Sequence, residues 1–150
     1  MKKCLAMRLY LLAHKCHKMG GVICRINRVL NSVDLPYTAE LDPNVVLSHN
    51  GLGVVIHERA KIGYGTVIQQ NVTIGGRGQS GVPIIGKNVF IGAGACVLGG
   101  IIIGDNARIG ANAVVIEDVP DNCTAIGVPA KIIENNENHI VNPLLAQKIL

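Results

Sequence analysis

The chain has 150 residues, which favours a single domain, and its aliphatic residues far outnumber its aromatic ones: it contains no Trp, one Phe and three Tyr. A core with so few aromatic rings indicates a regular architecture that stacks small, similar pieces. The formal net charge is +4, and because no dense run of Lys or Arg carries it, the sequence argues against a nucleic-acid-binding protein.

Five cysteines are spread along the chain without a paired spacing, which favours free thiols in a reducing compartment. The basic N-terminus resembles a secretory signal only superficially, because Arg8 interrupts the apolar stretch and no small-residue cleavage site follows. No apolar run is long enough to span a membrane. We therefore expect a soluble, cytoplasmic protein.

Residues 1–35 are predicted to form a helical segment, because apolar residues recur at helical spacing on both sides of a Gly-Gly pair. Two interpretations are open: a cap over the end of the next domain, which repeat structures need, or a pair of basic helices on a membrane surface. We favour the cap, and nothing further in the sequence indicates membrane association. The apolar positions are Leu5, Leu9, Leu12 and Cys16 in the first helix and Val22, Ile26 and Leu30 in the second.

Residues 36–133 repeat every six residues, which predicts short strands joined by corners rather than an amphipathic helix. Three hexads make one triangular coil, in which the first position points inward and the fifth faces inward near a corner. The sequence therefore predicts an all-β solenoid, a left-handed parallel β-helix, with the handedness taken from its resemblance to known hexapeptide repeats. The first positions are Ile56, Ile62, Ile68, Ile74, Ile85, Ile91, Val97, Ile103, Ile109 and Val115. The fifth positions are Ala60, Thr66, Val72, Val89, Ala95, Ile101, Ala107, Ala113 and Val119.

Residues 75–83 are rich in glycine and interrupt the repeat, which predicts a loop that leaves the prism. Such an insertion is either a tolerated surface loop or part of a binding face, and we favour the binding face because insertions in repeat proteins often build it. Residues 134–150 are predicted to be a C-terminal tail that is polar at first and forms a short helix over residues 144–150. The tail indicates no chemistry.

The run from His49 to Ile133 resembles the serine acetyltransferase branch of the hexapeptide-repeat acyltransferases. Three stretches carry the resemblance: His-Asn-Gly-Leu-Gly-Val-Val-Ile-His-Glu at 49–58, Val-Thr-Ile-Gly-Gly-Arg-Gly at 72–78 and Ile-Gly-Val-Pro-Ala-Lys at 126–131. The short helical start is more similar to that of small acetyltransferases from polysaccharide loci. The resemblance implies an acetyl-CoA-dependent O-acetyltransferase that forms a homotrimer, with sites between neighbouring prisms and without a metal.

The resemblance also implies that a histidine acts as general base on the acceptor hydroxyl, which suits an imidazole because it titrates at about pH 6.5. His49 matches the catalytic histidine of the family. His57 is expected to line the groove, with a catalytic role as the alternative. Glu58 either orients the base, binds the acceptor or is a solvated corner residue. The other histidines are expected to be exposed or capping and too few to hold a metal: His14, His17 and His139.

For acetyl-CoA, the resemblance implies backbone contacts along small residues, which let the pantetheine arm lie close to the chain. It further implies two basic residues for the phosphates, although an exposed surface charge is the alternative for both. The small residues are Gly76, Ala93, Gly94 and Ala111, and the basic residues are Arg108 and Lys131.

Three positions depart from the serine enzymes: Ser48 replaces an Asp, and Gly81 and Val82 replace the Arg and His that hold the amino-acid carboxylate. Because binding a zwitterion calls for compensating charges, we predict that the acceptor is a sugar hydroxyl on a polysaccharide or its precursor. The alternatives are a serine O-acetyltransferase of cysteine biosynthesis and a non-catalytic β-helix scaffold. The carboxylate that would orient the base is left open between Glu40 and Asp42.

Overall fold

The computed structural model describes residues 3–79 and 81–134, which form two helices followed by a series of short strands. Helix α1 spans Leu5–Lys15 and helix α2 spans Gly20–Asn31, with a 3-10 turn at His17–Met19 between them. Neither helix is long and apolar enough to cross a membrane. The predicted C-terminal helix and His139 lie outside the described residues.

The strands stack into three sheets, one on each side of a prism. The first sheet contains, in spatial order, β1 (Glu40–Leu41), β4 (Lys61–Ile62), β7 (Ile84–Ile85) and β10 (Ile102–Ile103). The second contains β2 (Val46–Leu47), β5 (Val67–Ile68), β8 (Phe90–Ile91), β11 (Arg108–Ile109), β13 (Cys123–Ile126) and β14 (Lys131–Glu134). The third contains β3 (Val55–Ile56), β6 (Thr73–Gly75), β9 (Cys96–Leu98) and β12 (Val114–Val115).

From β1 to β12, consecutive strands lie on different sheets, and every third strand returns to pair in parallel with its predecessor. The chain therefore winds into a solenoid of about four turns. Only β14 runs antiparallel among the described strands, and it folds back on β13 at the C-terminal end of the second sheet. The predicted parallel β-helix is confirmed, and its arrangement is consistent with the left-handed form.

The core of the solenoid consists of the hexad positions that the sequence predicts to point inward. Every first position from Ile56 to Val115 is at most 3% exposed, and every fifth position from Ala60 to Val119 is buried. Thr66 is the polar member of this set, and its Oγ1 donates to the Gly86 carbonyl (2.9 Å) and accepts from the Val89 N–H (3.3 Å). Burial of one continuous aliphatic column explains why few aromatic residues are needed.

Helix α1 covers the N-terminal end of this column. Its buried residues Met7 and Tyr10 join the same hydrophobic cluster as the first coil. The Tyr10 hydroxyl donates to the Ala39 carbonyl (2.6 Å) and accepts from the Leu41 N–H (3.2 Å). The helix therefore shields the open end of the solenoid, as the capping interpretation requires.

The apolar stripes that identify the two helices in the sequence are not the faces that pack. In α1, Leu5 and Leu12 are exposed, while the buried residues are Ala6, Met7, Tyr10 and Ala13. In α2, Val22, Ile26 and Leu30 are exposed. Helical periodicity finds the helices correctly, but it does not identify the faces that pack.

Candidate functional site

His49 lies on an insertion at one edge of the prism. The first residues of β2 and β3 are nine positions apart, whereas those of the equivalent strands β5 and β6 are six apart. The extra residues form a 3-10 turn over Ser48–Gly51, in which His49 has φ 48° and ψ 36°. This left-handed conformation costs a residue other than glycine about 1–2 kcal/mol. An exposed histidine held in this conformation on an insertion is the kind of strain that accompanies a functional position.

A network of asparagines holds the turn of His49 against the helical cap. Asn50 accepts a hydrogen bond from the Ala6 N–H at its Oδ1 (3.2 Å) and donates its Nδ2 to Asn31. Asn31 donates to Asn27 (2.7 Å), which in turn donates to the Ala6 carbonyl (3.0 Å). No pattern in the sequence indicates this network, although the Asn-Gly pair at 50–51 signals a turn.

His57 lies at a second edge of the prism, where β3 ends. Its backbone N–H donates to the Ile74 carbonyl (2.8 Å), and its Nδ1 accepts from the Arg59 N–H (3.2 Å). A Cβ atom built on Gly76 would stand 3.8 Å from Cδ2 of His57. The structure therefore places His57 beside the start of the glycine loop, as a residue that lines the loop.

The glycine loop leaves the prism at this second edge, between β6 and β7. A Cβ on Gly76 would lie 3.2 Å from the Gly81 carbonyl oxygen, so the two ends of the loop approach each other closely. Gly81 itself has φ +92° and faces the backbone of Gly100. Glu58, next to His57, is exposed, and within the described chain no hydrogen bond joins it to either edge histidine. Its roles as orienting group or acceptor ligand stay predictions.

The predicted donor residues with small side chains stack above His49 along the first edge. Gly94 lies at the corner after β8, and its N–H donates to the carbonyl of Gln70 at the corner after β5 (3.0 Å). The next step joins the Asn112 N–H to the Ala93 carbonyl (2.8 Å), and Ala111 is exposed beside it. The sequence does not predict a role for Gln70. Its Oε1 is buried and has no hydrogen-bond partner in the described chain. An unpaired buried acceptor of this kind is uncommon in folded proteins.

The two predicted phosphate-binding cations lie on the second sheet. Arg108 points outward from β11, and its guanidinium lies 5.1 Å from the centre of the Phe90 ring. Lys131 opens β14 and pairs with Ile126 of β13. Both side chains are exposed, so the structure is compatible with phosphate binding and with the alternative of surface charges.

The structure thus divides the predicted site between two edges of one face. We name them the His49 edge, with Ala93, Gly94 and Ala111, and the His57 edge, with Glu58 and Gly76. The third sheet lies between them and separates the two histidines. Its outward side chains are uncharged: Val55, Thr73, Cys96 and Val114.

Three of the remaining titratable candidates, His14, Glu40 and Asp42, line one pocket but do not form a metal-binding group. His14 is exposed, its Nδ1 lies 2.8 Å from the Tyr37 carbonyl, and its ring centre lies 5.9 Å from that of His17. Among the described residues, no group of three or more His, Cys, Asp or Glu could hold a metal ion. Glu40 pairs with Lys61 (3.0 Å), and Asp42 accepts from the Asn44 N–H (2.7 Å). Both carboxylates considered for orienting the base are therefore engaged elsewhere.

Comparison with protein families matches residues 83–117 to the family described as bacterial transferase hexapeptide (six repeats). Serine acetyltransferase of Synechococcus elongatus is 45% identical over 115 residues, which cover 75% of this chain and 47% of that protein. Serine acetyltransferase of Helicobacter pylori strain J99 is 39% identical over 136 residues, 85% of this chain and 79% of that protein. The chain spans about half the length of two of the curated relatives that it matches, at 47% and 45% of their residues.

Two solved structures show the same relationship. Serine acetyltransferase of Neisseria gonorrhoeae in complex with serine superposes with a TM-score of 0.79 at 36% identity, over 84% of this chain and 54% of that one. A serine acetyltransferase in complex with CoA superposes with a TM-score of 0.80 at 34% identity, over 85% of this chain and 55% of that one. Both relatives are serine acetyltransferases, and the one from Neisseria gonorrhoeae holds serine.

Proposed function

Because the chain belongs to the serine acetyltransferase branch of the hexapeptide-repeat transferases, we propose that it transfers the acetyl group of acetyl-CoA to the hydroxyl of serine. The observation that carries the proposal is the match to a serine acetyltransferase over 79% of that protein's length. The solved relatives bound to serine and to CoA support both substrates. This assignment replaces the predicted sugar hydroxyl, which the relatives named above do not support.

In the proposed reaction, His49 is the general base. Its free imidazole nitrogen takes the proton of the serine hydroxyl while the hydroxyl oxygen attacks the thioester carbonyl. The tetrahedral intermediate then collapses, the carbon–sulfur bond breaks, and the CoA thiolate takes the proton from the imidazolium. The products are O-acetylserine and CoA, and a positioned base of this kind is worth about 10²- to 10⁴-fold in rate.

The His49 edge suits the donor. Along it, Ala93, Gly94 and Ala111 present backbone with little side chain, so an extended pantetheine arm can lie against the prism. Arg108 and Lys131 on the adjoining sheet are proposed to face the CoA phosphates, where a charge-assisted contact is stronger than a neutral one.

We propose a cyclic trimer because it explains why the candidate residues occupy two edges. If three prisms turn their third sheets towards a common axis, the His49 edge of one chain meets the His57 edge of the next. That arrangement brings the base of one chain to the glycine loop of its neighbour. The uncharged outer face of the third sheet suits a buried interface. A cytoplasmic location stays a prediction.

The serine carboxylate needs a cation that the glycine loop does not offer at Gly81 and Val82. Exposed Arg59 and Arg77 flank the same corner. We propose that one of them supplies the charge, since a guanidinium binds a carboxylate through two parallel hydrogen bonds.

The test is the release of CoA from acetyl-CoA, corrected for hydrolysis, with L-serine, with nucleotide sugars and with neutral oligosaccharides as acceptors. We expect saturable turnover with serine, and the protein with His49 changed to asparagine supplies the background. Saturation with a sugar and not with serine would overturn the acceptor. Absence of CoA binding at millimolar concentration in calorimetry would instead favour the non-catalytic scaffold.

A further inference from the structure

Helix α2 packs with its polar side inward. Its buried residues include Asn27 and Asn31, which belong to the asparagine network. The side that faces solvent carries Val22, Ile26 and Val29 at the i, i+4, i+7 spacing of one helical face, and Val29 is 81% exposed. An apolar stripe in this position is not explained by the core of the protein.

Helix α1 repeats the arrangement on a smaller scale. Leu5 and Leu12, seven residues apart, are 46% and 49% exposed, opposite the face that covers the solenoid. Arg8 and Lys15 each follow one of these leucines by three residues and share their side of the helix. In α2, Arg25 follows Val22 in the same way. Both helices therefore combine an exposed apolar stripe with cations.

The charge of the cap has one sign. The first 33 residues contain seven Lys or Arg and no Asp or Glu, whereas the rest of the chain contains seven Lys or Arg and ten Asp or Glu. Arg28 is neutralised by Asp34 at 2.5 Å, but Arg8, Lys15, Lys18 and Arg25 are exposed and form no ion pair in the described chain.

We propose that the outer face of the cap, formed by the exposed stripes of α1 and α2 and their cations, docks on an anionic phospholipid bilayer. A basic amphipathic helix lies in the plane of the interface, with its apolar side chains among the acyl chains and its cations at the headgroups. A second copy of the same face is a poorer occupant, because a twofold contact would oppose cations to cations without an acid between them. This inference does not depend on the proposed reaction.

The proposed trimer would strengthen the docking. A cyclic trimer of parallel prisms places all three caps at the same end, so three weak contacts act together on one surface. Helices of 11 and 12 residues lie on a bilayer rather than cross it. The prisms would then stand on the membrane with the grooves between neighbouring chains above the bilayer surface.

The test is co-sedimentation of the protein with vesicles of phosphatidylcholine alone and with vesicles that also contain phosphatidylglycerol. We expect binding to the anionic vesicles, little binding to the neutral ones, and a loss of about tenfold or more in high salt. Val29→Glu and Arg25→Glu should each lower the partition coefficient by about tenfold or more. The matched controls are Ile102→Glu and Lys87→Glu, which replace an exposed aliphatic residue and an exposed cation of the prism by glutamate. Both controls should bind as the parent does.

A fluorescent reporter checks the same contact directly. The chain contains no tryptophan, so Val29→Trp introduces a single indole on the stripe, and Ile102→Trp introduces one on the prism. We expect a blue shift on addition of anionic vesicles, and quenching by brominated lipid, for the indole at position 29 alone.

Several outcomes would overturn the proposal. One is a folded protein that stays in solution with anionic vesicles at low salt. Another is binding that Val29→Glu and Arg25→Glu leave unchanged. A third is a fall in molecular mass of Val29→Glu without lipid, measured by sedimentation velocity, because it would identify the face as a contact between chains. Loss of turnover with intact vesicle binding would refute the proposed enzyme and leave the docking surface standing.

Discussion

Asn50, the residue that follows His49, donates its Nδ2 to Oδ1 of Asn31, near the end of helix α2. Asn31 is 6% exposed and also donates to Asn27 (2.7 Å). The turn that carries the proposed base is therefore fixed to the cap by buried polar groups, in addition to its place between two strands. A buried network of this kind specifies one arrangement when all its members are paired.

The first prediction concerns Asn31 as a positioning residue. Asn31→Ala leaves Asn27 and Asn50 without their partner, so we expect a loss of about 1–3 kcal/mol in the free energy of unfolding. Because the turn of His49 is released, kcat for acetyl transfer should fall by about tenfold or more while the KM for acetyl-CoA changes little. Steady-state kinetics well below the melting temperature measures both constants.

A variant of matched stability separates positioning from general weakening. Thr66→Val removes the hydroxyl that lies between Gly86 and Val89 inside the prism. It should lower the free energy of unfolding by about 1–3 kcal/mol, as Asn31→Ala does. We expect Thr66→Val to keep its kcat. If both variants lose activity in proportion to the unfolded fraction, Asn31 is structural only.

The second prediction distinguishes the two edge histidines. The Arg59 N–H donates to Nδ1 of His57 (3.2 Å), which in the neutral ring leaves the proton on Nε2. His57 thus has no free lone pair to offer a hydroxyl proton. His49→Asn, which keeps a side chain that tolerates the left-handed conformation, should lower kcat by about 10²-fold or more. His57→Asn should lower it by less than about tenfold, and the reverse result would show that the base was assigned wrongly.

Much of the fold follows from the sequence because one rule repeats. A hexad places the same inward position in every coil, so the aliphatic residues from Ile56 to Val115 predict strands, sheets and core together. The glycine loop was predictable for the same reason, because an irregular stretch stands out against a strict period. The positions of the proposed donor residues Gly94 and Ala111 on regular corners follow from the same period.

The cap was predicted less well, because no repeat constrains it. The periodicity of Leu5, Leu12 and Val22 predicts helices but cannot tell which side packs, since apolar stripes normally face a core. Here the core accepts Ala6 and Met7 from α1 and polar asparagines from α2. Contacts between Asn31 and Asn50, 19 residues apart, depend on tertiary structure that a short sequence pattern does not contain.

The third prediction compares two neighbouring glycines. A Cβ on Gly20 would stand 2.8 Å from the ring of Tyr37, whereas one on Gly21 would meet nothing within 4 Å. Gly20→Ala should therefore destabilise the protein by about 1–3 kcal/mol through overpacking. Gly21→Ala should stabilise α2 by about 0.5–1 kcal/mol, because alanine loses less backbone freedom on folding. Urea unfolding of both variants measures the change in the free energy of unfolding. If both substitutions lowered it by the same amount, this account of the cap would be refuted.

The fourth prediction concerns alkaline pH. Burial raises the pKa of Tyr10 above its ordinary value, and the hydrogen bond from the Leu41 N–H offsets this rise only in part. The unfolded chain then releases this proton at a lower pH than the folded chain does. The stabilisation is full below about pH 10 and is lost as the pH rises through the raised pKa of the folded state.

Tyr10→Phe removes both the hydrogen bonds and this titration. At neutral pH the variant should be less stable by about 1–2 kcal/mol, because the Leu41 N–H loses its partner. The difference in the free energy of unfolding between the parent and the variant should shrink as the pH rises above about 10, because only the parent loses the contribution of Tyr10. Burial also raises the pKa of Cys24. The Tyr10→Phe variant should therefore still lose some stability at alkaline pH, through ionisation of Cys24. Urea unfolding from neutral to alkaline pH measures the difference, and a constant gap would show that ionisation of Tyr10 does not limit the stability of the cap.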